Sequence, residues 1–247
     1  MNILICISHV PDTTTRIKFT EDNSELDKEG VTFVINPYDE FALSRSLELR
    51  ENKVIEGEIH ILCVGPKEVE PTIRKALAVG GEKGIRIDAE ANDAMEVAQQ
   101  ITDYVKSNPN YDMIMMGKES IDNNGSQVPG MVAAMLDVPF ISFATSLEIE
   151  DGKAVLTREI DGGQETIETT TPFVLSSQKG LAEWRIPNMR GIMMAKRKPL
   201  ETVEAQETTA FTQIDQYELP PPKGDVQYIE PENVEEVVKL LEEKGVF

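Results

Sequence analysis

The sequence is poor in the residues that build metal centres and covalent catalysis. Its 247 residues include 2 cysteines, 2 histidines and 1 tryptophan. Cys6 and Cys63 each lie inside an apolar run, and His9 and His60 stand apart, so no Cys/His ligand spacing appears. Buried thiols in a reducing cytosol account for both cysteines. No Ser/His/acid or Cys/His arrangement stands out, and Asp and Glu are too numerous to single out an acid–base pair. Positive charge is also scarce: 24 Lys+Arg against 44 Asp+Glu leave a formal net charge of -20. Such a chain repels phosphate backbones, which excludes broad nucleic-acid binding. No apolar run is long enough to span a bilayer. The N-terminus, MNILICISHV, lacks a basic n-region and reads as a first strand rather than a signal peptide. These absences describe a cytoplasmic chain, not membrane-embedded, suited to binding more than to chemistry of its own. The 40% hydrophobic content is enough for a substantial core, and the length allows one large domain or two small ones.

What is present centres on Asp112 to Ala134, DMIMMGKESIDNNGSQVPGMVAA. The apolar run Met113 to Met116 reads as a buried strand that stops at Gly117. A polar loop, Lys118 to Gly125, follows, and helix-compatible residues continue to Leu136. A strand that enters a glycine-containing loop and opens a helix is an anion site in waiting, because free N–H groups and the helix dipole both face the loop. Ser126 is placed to cap the helix or to reach a phosphate oxygen. The loop is neither a P-loop nor a Rossmann glycine pattern, so an ordinary strand–loop–helix connection is the alternative.

The flanking chain repeats this grammar. Residues 3–8 (ILICIS) form a strand ending at His9-Val10-Pro11-Asp12. Asn36-Pro37-Tyr38-Asp39 follows Val31–Ile35 as a turn, with Asp39 placed to cap a helix through Phe41, Leu43, Leu47 and Leu49. Ile59–Val64 is a strand closed by Gly65-Pro66. Pro71–Val79 is helical and ends at Gly80-Gly81. Ile85–Ile87 is a short strand, and Asp93–Val105 is a helix with Ala94, Val97, Ile101 and Val105 on one face. Unalternating strands, each followed by a helix, predict an α/β fold whose mostly parallel sheet is flanked by helices. Ligands on such sheets sit beyond the carboxyl ends of the strands. Ser8–Pro11, Asn36–Asp39, Val64–Pro66 and the 117–128 loop all fall at that edge.

After Pro139 the pattern changes. Ser146–Thr170 alternates, with turn signals at Asp151-Gly152 and Asp161-Gly162-Gly163, and predicts an added β-hairpin or meander. Phe173–Leu175 is a last core strand. From Ser176 to Leu200 periodicity fails, yet Trp184, Arg185, Arg190, Lys196, Arg197 and Lys198 cluster there with Met189, Met193 and Met194. A basic, Met-rich segment in an acidic chain is either a solvated loop or an adaptable contact surface, and the thioethers favour contact. Residues 201–230 form a polar arm stiffened by Pro220-Pro221-Pro222. Val234, Val237, Val238 and Leu241 mark one face of a terminal helix, which either crosses to another subunit or packs back on its own domain.

The landmarks ILICIS, Asn36-Pro37-Tyr38-Asp39, Val64-Gly65-Pro66, Thr72–Ala78, Gly117–Asp122, Thr157–Gly163 and Arg185–Lys198 occur in one order over essentially the whole length. In this the chain resembles the β subunit of electron transfer flavoprotein. The resemblance implies a Rossmann-like domain of the adenine-nucleotide α-hydrolase type over residues 1–200, and an arm over 201–247 that packs on an α subunit. It implies a heterodimer in which the α subunit carries the redox-active FAD and this subunit, without catalytic residues of its own, holds a structural AMP. The AMP contacts carried over are Cys6, Asn36, Pro37, Tyr38, Asp39 and Val64, with Gly117, Lys118, Glu119, Ser120, Ile121, Asp122, Asn123, Asn124, Gly125, Ser126, Gln127 and Val128. Tyr38 matches an aromatic that lies near the partner's flavin.

The resemblance further implies that the pair accepts electrons from acyl-CoA or other dehydrogenases. It would pass them to a membrane quinone oxidoreductase or a similar acceptor. Residues 184–194 match a recognition loop whose apolar anchor, usually leucine, docks the dehydrogenase; here Met189 takes that place, flanked by Arg185 and Arg190. Thr13 stands where some members have an aromatic. Pro11-Asp12-Thr13 and Pro37-Tyr38-Asp39 also occur in an electron-bifurcating branch in which a second FAD replaces AMP. The Arg158–Gly163 run and the short C-terminus Lys244-Gly245-Val246-Phe247 favour AMP. Without the resemblance, a stand-alone nucleotide-binding module is the remaining alternative, and it leaves the Met-rich segment unexplained.

Overall fold

A computed structural model of the chain describes residues 1–90, 93–150 and 152–246. Asp151 of the expected Asp151-Gly152 turn and Phe247 lie outside the described residues. The central strand is β1 (Ile3–Cys6), followed by the short antiparallel pair β2 (His9–Pro11) and β3 (Phe33–Ile35). Then come α1 (Pro37–Glu51), β4 (Ile59–Val64), α2 (Glu70–Val79), β5 (Lys83–Asp88), α3 (Ala94–Ser107), β6 (Met113–Gly117) and α4 (Val128–Leu136). The second half contains β7 (Phe140–Glu150), β8 (Lys153–Ile160), β9 (Gly163–Thr169), β10 (Phe173–Ser177), α5 (Met189–Ala195), β11 (Leu200–Glu204) and α6 (Val234–Glu243).

The main sheet has nine strands in the order β11-β5-β4-β1-β6-β10-β7-β8-β9. Every pairing from β11 to β7 is parallel, and β8 then runs antiparallel to both β7 and β9. The expected α/β architecture is therefore the observed one. Alternate residues of each parallel strand serve opposite faces. Ile3, Ile5, Ile59, Ile61, Met113 and Met115 pack with Leu43 and Leu47 of α1 and Ile73 and Leu77 of α2. Leu4, Cys6, Leu62, Ile114, Met116 and Val174 pack with Ala98, Ile101 and Tyr104 of α3 and Val132 of α4. Burial on both faces explains why these strands read as unbroken apolar runs.

Some elements depart from expectation. β7 starts at Phe140, before the alternating stretch. Its first half pairs parallel with β10, and its second half pairs antiparallel with β8 across a register break at Ala144–Ser146. Phe143, with a φ of 53°, lies just before it, where the pairing with β10 shifts between Ile141 and Ala144. Leu200–Glu204 is an edge strand of the main sheet, so ordered sheet continues past residue 200. Within the aperiodic Ser176–Leu200 stretch, α5 is a helix of 7 residues, too short to display a period. It is N-capped by the Asn188 side chain, which accepts from the Gly191 N–H at 2.8 Å.

The arm is tied down over its first part. Asp93 caps α3 through Glu96 N–H, and its other oxygen accepts from the N–H groups of Phe211 and Thr212 and from the Thr212 hydroxyl. These donors, led by the Glu96 N–H, hold the Asp93 carboxyl below the usual range. The Gln100 side-chain amide pairs both ways with the backbone of Gln206. Farther on, Tyr217 stacks on Phe19 at 5.1 Å. Beyond that, α6 has no buried residue, and Val234, Val237 and Val238 are exposed.

Candidate nucleotide site and contact surface

β1 lies between β4 and β6, and the chain order reverses direction across the β1–β6 pair. That reversal opens a crevice at the carboxyl edge of the sheet. Asp39 is the residue that spans it. One carboxylate oxygen accepts from the Ser8 N–H at 2.7 Å, just past β1, and the other from the Gly117 N–H at 2.6 Å, at the end of β6. Asp39 is buried, and it does not cap α1 as expected. Asn36 occupies the cap position without a side-chain cap, and Pro37 opens the helix. The first turn turns Asp39 inward, where the N-terminal end of the helix dipole also favours its charge. Burial pushes the carboxyl from the ordinary 3.8 up to about 7, against the downward pull of its hydrogen bonds, the Ser8 N–H first and then the Gly117 N–H.

Asn36 closes the same clasp onto the loop. Its side-chain N–H donates to the Glu119 carbonyl at 2.8 Å, and its side-chain oxygen accepts from the Ile121 N–H at 3.2 Å. Its own N–H donates to the Ser8 carbonyl at 3.0 Å. Gly117 is demanded by this closeness: a Cβ there would lie 2.5 Å from the Asp39 carboxylate and 2.6 Å from the Tyr38 Cβ. Ser177, which the sequence reading left outside the site, donates its hydroxyl to the Tyr38 carbonyl at 2.6 Å, with the Met116 carbonyl at 3.1 Å. A strand ending in Ser176-Ser177 at the carboxyl edge was the available signal, since buried hydroxyls need partners.

The loop beyond is open. Lys118 pairs with Glu119 at 3.0 Å and lies 4.9 Å above the Tyr38 ring and 5.9 Å from the Phe143 ring. Asp122 to Gln127 are exposed. Ser126 does not cap α4; its hydroxyl goes to the Glu119 carboxylate at 3.1 Å. No side chain caps α4, so its first-turn N–H groups face the loop uncommitted, and Pro129 has none to offer. The left-handed positions are Asn124 (φ 54°) and Ser126 (φ 52°), not Gly125, where a Cβ would meet only Asn123 at 3.9 Å or more.

Cys6 and Val64 end adjacent parallel strands beside the clasp. Burial first, then Asp39 and Cys63, push the Cys6 thiol up, so it stays protonated and unreactive. The clasp thus joins Asn36 and Asp39 to Gly117, Glu119 and Ile121, while Asn123–Val128 extends outward. What the edge offers chemically is a crevice with backbone polar groups and one open helix start, a geometry for an anionic nucleotide.

Arg185, Met189 and Arg190 are not part of this crevice. Arg185 makes a two-pronged pair with Glu51, at 2.7 and 3.0 Å. Glu51 is the last of the 15 residues of α1, roughly 20 Å along the helix from the clasp. The Arg185 charge is therefore answered internally, whereas Arg190 has no ion-pair partner among the described residues. α5 is held on α2 by a reciprocal exchange. Arg74 donates to the carbonyls of Ala195 and Lys198 at 2.8 and 2.6 Å; Lys198 donates to those of Leu77 and Gly81 at 2.8 and 2.6 Å. Each cation satisfies carbonyls that a helix end leaves open. Gly191 sits so close that a Cβ would collide with the Ala78 carbonyl. With its backbone fixed, α5 turns Met189, Met193 and Met194 outward, next to exposed Trp184 and Ile186. An open groove of about 490 Å³ runs beside it, lined by Pro71, Ala78, Pro187, Ile192 and Ala195 together with Arg74, Lys75 and Lys196. Exposed apolar residues gathered in this way are of the kind found at contact surfaces.

The chain is similar to known proteins over nearly its whole length. A family model described as the electron transfer flavoprotein domain matches residues 25–208. The chain is 35% identical over 243 residues to the electron transfer flavoprotein subunit beta of Syntrophomonas wolfei, covering 98% of this chain and 95% of that protein. It is 34% identical over 255 residues to the subunit beta of Bacillus subtilis, with 98% and 97% covered. Against the subunit beta of Homo sapiens the identity is 30% over 254 residues, with 99% and 98% covered.

The buried carboxyl yields a pH prediction. Because the Asp39 value is raised in the folded state, the folded protein keeps a proton that the unfolded chain has released between 3.8 and about 7. Stability therefore declines as pH rises through that window and levels off above it. Urea midpoints compared between wild type and Asp39→Asn are expected to converge or cross from pH 4 to pH 8, as wild type loses a few kcal/mol relative to the variant. A constant difference across that range would show that Asp39 does not titrate there.

Proposed function

The chain belongs to the electron transfer flavoprotein β-subunit family, and we propose that it serves as the non-catalytic half of a heterodimeric electron carrier. In this reading an α subunit carries the redox FAD, and this subunit holds AMP at the β1–β6 crevice and presents α5 to electron-donating dehydrogenases. Acyl-CoA dehydrogenases or others deliver electrons, and a quinone oxidoreductase or similar acceptor receives them from the α-bound flavin. The observation that carries the reading is the Asp39–Asn36 clasp. It locks the ends of β1 and β6 against the loop, and the uncapped start of α4 then faces the space where a nucleotide phosphate would sit. Strand-end backbone groups near Cys6 and Val64 are available to the adenine edge. In this reading AMP is a structural ligand.

The described arm supports the partner assignment. Its first part is fastened to α3, while α6 offers Val234, Val237 and Val238 to solvent. An amphipathic helix with an uncovered apolar face fits a partner subunit. A chain truncated after Tyr217 should keep its own sheet but fail to co-purify with the flavin-bearing α subunit. Recovery of an intact heterodimer from that truncation would contradict the assignment.

Docking is tested at Met189. Burying a methionine in a partner pocket contributes about 1.5–3 kcal/mol, worth roughly ten- to a hundredfold in affinity. Met189→Ala is expected to slow reduction of the heterodimer by its dehydrogenase at limiting concentration by that factor. FAD content and reduction by dithionite should stay unchanged. Arg190, unlike Arg185, has its charge free to steer association, an effect that fades as salt is raised. A Met189→Ala heterodimer that accepts electrons at the wild-type rate would remove Met189 as the anchor, and loss of FAD would make the helix structural instead.

A further inference from the structure

The 10 methionines span the range of exposure, and Met1, Met95, Met131 and Met135 are half-buried. Met113, Met115 and Met116 in β6 are at 0%, 0% and 5% exposure, whereas Met189, Met193 and Met194 in α5 are at 75%, 69% and 50%. The exposed set is gathered on one helix of 7 residues, on the apolar surface described above. A thioether differs from other apolar side chains in one chemical respect: a hydroperoxide converts it to a polar sulfoxide, and cells carry reductases that reverse the change. Susceptibility follows access, so the fold shields β6 and offers α5.

We propose that Met189, Met193 and Met194 form a modification site for hydroperoxides, at which reversible sulfoxide formation switches off partner docking. The sulfur lone pair attacks the outer peroxide oxygen and the O–O bond breaks. The proton on that oxygen passes to the departing alkoxide or hydroxide. The thioether is oxidised by two electrons to a sulfoxide, and the hydroperoxide is reduced to an alcohol or water. The fold tolerates this because four contacts that fix the α5 backbone use no thioether. They are the Asn188 cap, the close approach of Gly191 to Ala78, the buried Ala195 and the Arg74–Lys198 exchange. Oxidation therefore alters the chemistry of the surface and leaves the helix in place. A polar S–O group at the anchor removes the apolar burial that docking relies on. The switch rests on the docking role proposed above; the modification itself does not.

The experiment exposes the purified heterodimer to dilute hydrogen peroxide. Peptide mass spectrometry then locates the added oxygen, and reduction by the dehydrogenase and by dithionite is measured before and after. Expected are sulfoxides at Met189, Met193 and Met194 with Met113, Met115 and Met116 intact. The half-saturating concentration for the dehydrogenase reaction should rise by about tenfold or more. Dithionite reduction should not change, and treatment with methionine sulfoxide reductases should restore the starting rate. A heterodimer carrying Met189→Leu, Met193→Leu and Met194→Leu together should show the same rate before and after peroxide, whatever that rate is. Oxidation spread evenly over buried and exposed methionines would overturn the site. An equal loss of rate in the leucine variant would overturn the switch. If sulfoxides form on α5 without effect while Met189→Ala does slow the reaction, the switch alone fails. If neither change has an effect, the docking reading fails with it.

Discussion

A single buried carboxylate organises the carboxyl edge of this sheet. β1 and β6 are neighbours, but the loops that leave them run in different directions, and nothing in strand pairing holds those exits together. Asp39 does so by accepting one N–H from each side, at Ser8 and at Gly117. Burial makes its charge costly, and the two donors with the helix dipole offset part of that cost. The rest of the edge follows from this contact. Gly117 must lack a side chain, Asn36 is brought against the 119–121 backbone, and Ser177 closes the space beneath Tyr38. The base of this edge is thus tied by hydrogen bonds, while the 122–127 segment is exposed.

The second surface is built on different physics and stands at the other end of α1. There the scaffold is a mutual capping of α2 and the residues after α5 by Lys198 and Arg74. Charge-assisted hydrogen bonds of this kind are worth about 1.5–3 kcal/mol each when well formed. Of the segment's basic residues Lys198 is committed to holding its backbone, while Arg190, Lys196 and Arg197 stay exposed beside the methionines. The Arg185–Glu51 pair marks this end of α1, roughly 20 Å along the helix from the Asp39 clasp.

Much of the fold was legible in the sequence because burial on both faces writes parallel strands as unbroken apolar runs: ILIC, IHILCV and MIMM. The candidate crevice was legible in outline, since a strand–glycine–loop–helix order implies an anion-facing helix start. Four features were not. Asp39 was read as a helix cap because local grammar offers that role to an acid after Asn-Pro, while its actual partners lie 31 and 78 residues away. Ser126 was read the same way and instead turns to Glu119. LETVE carries the mixed character of a sheet edge, so β11 merged with the polar arm, and α5 was too short to show a period. For Asp39 and β11 the deciding contact is long-range and leaves no local trace, whereas Ser126 and α5 turn on short-range contacts whose geometry the residue types do not announce.

The most direct test of the account is the nucleotide and flavin released on denaturing the purified heterodimer, compared between wild type and Gly117→Ala. The methyl group would lie 2.5 Å from the Asp39 carboxylate and must push the clasp apart. The account predicts one FAD and one AMP per wild-type heterodimer, with FAD retained and AMP largely lost in the variant. Two FAD and no AMP from wild type, or full AMP occupancy in Gly117→Ala, would contradict it.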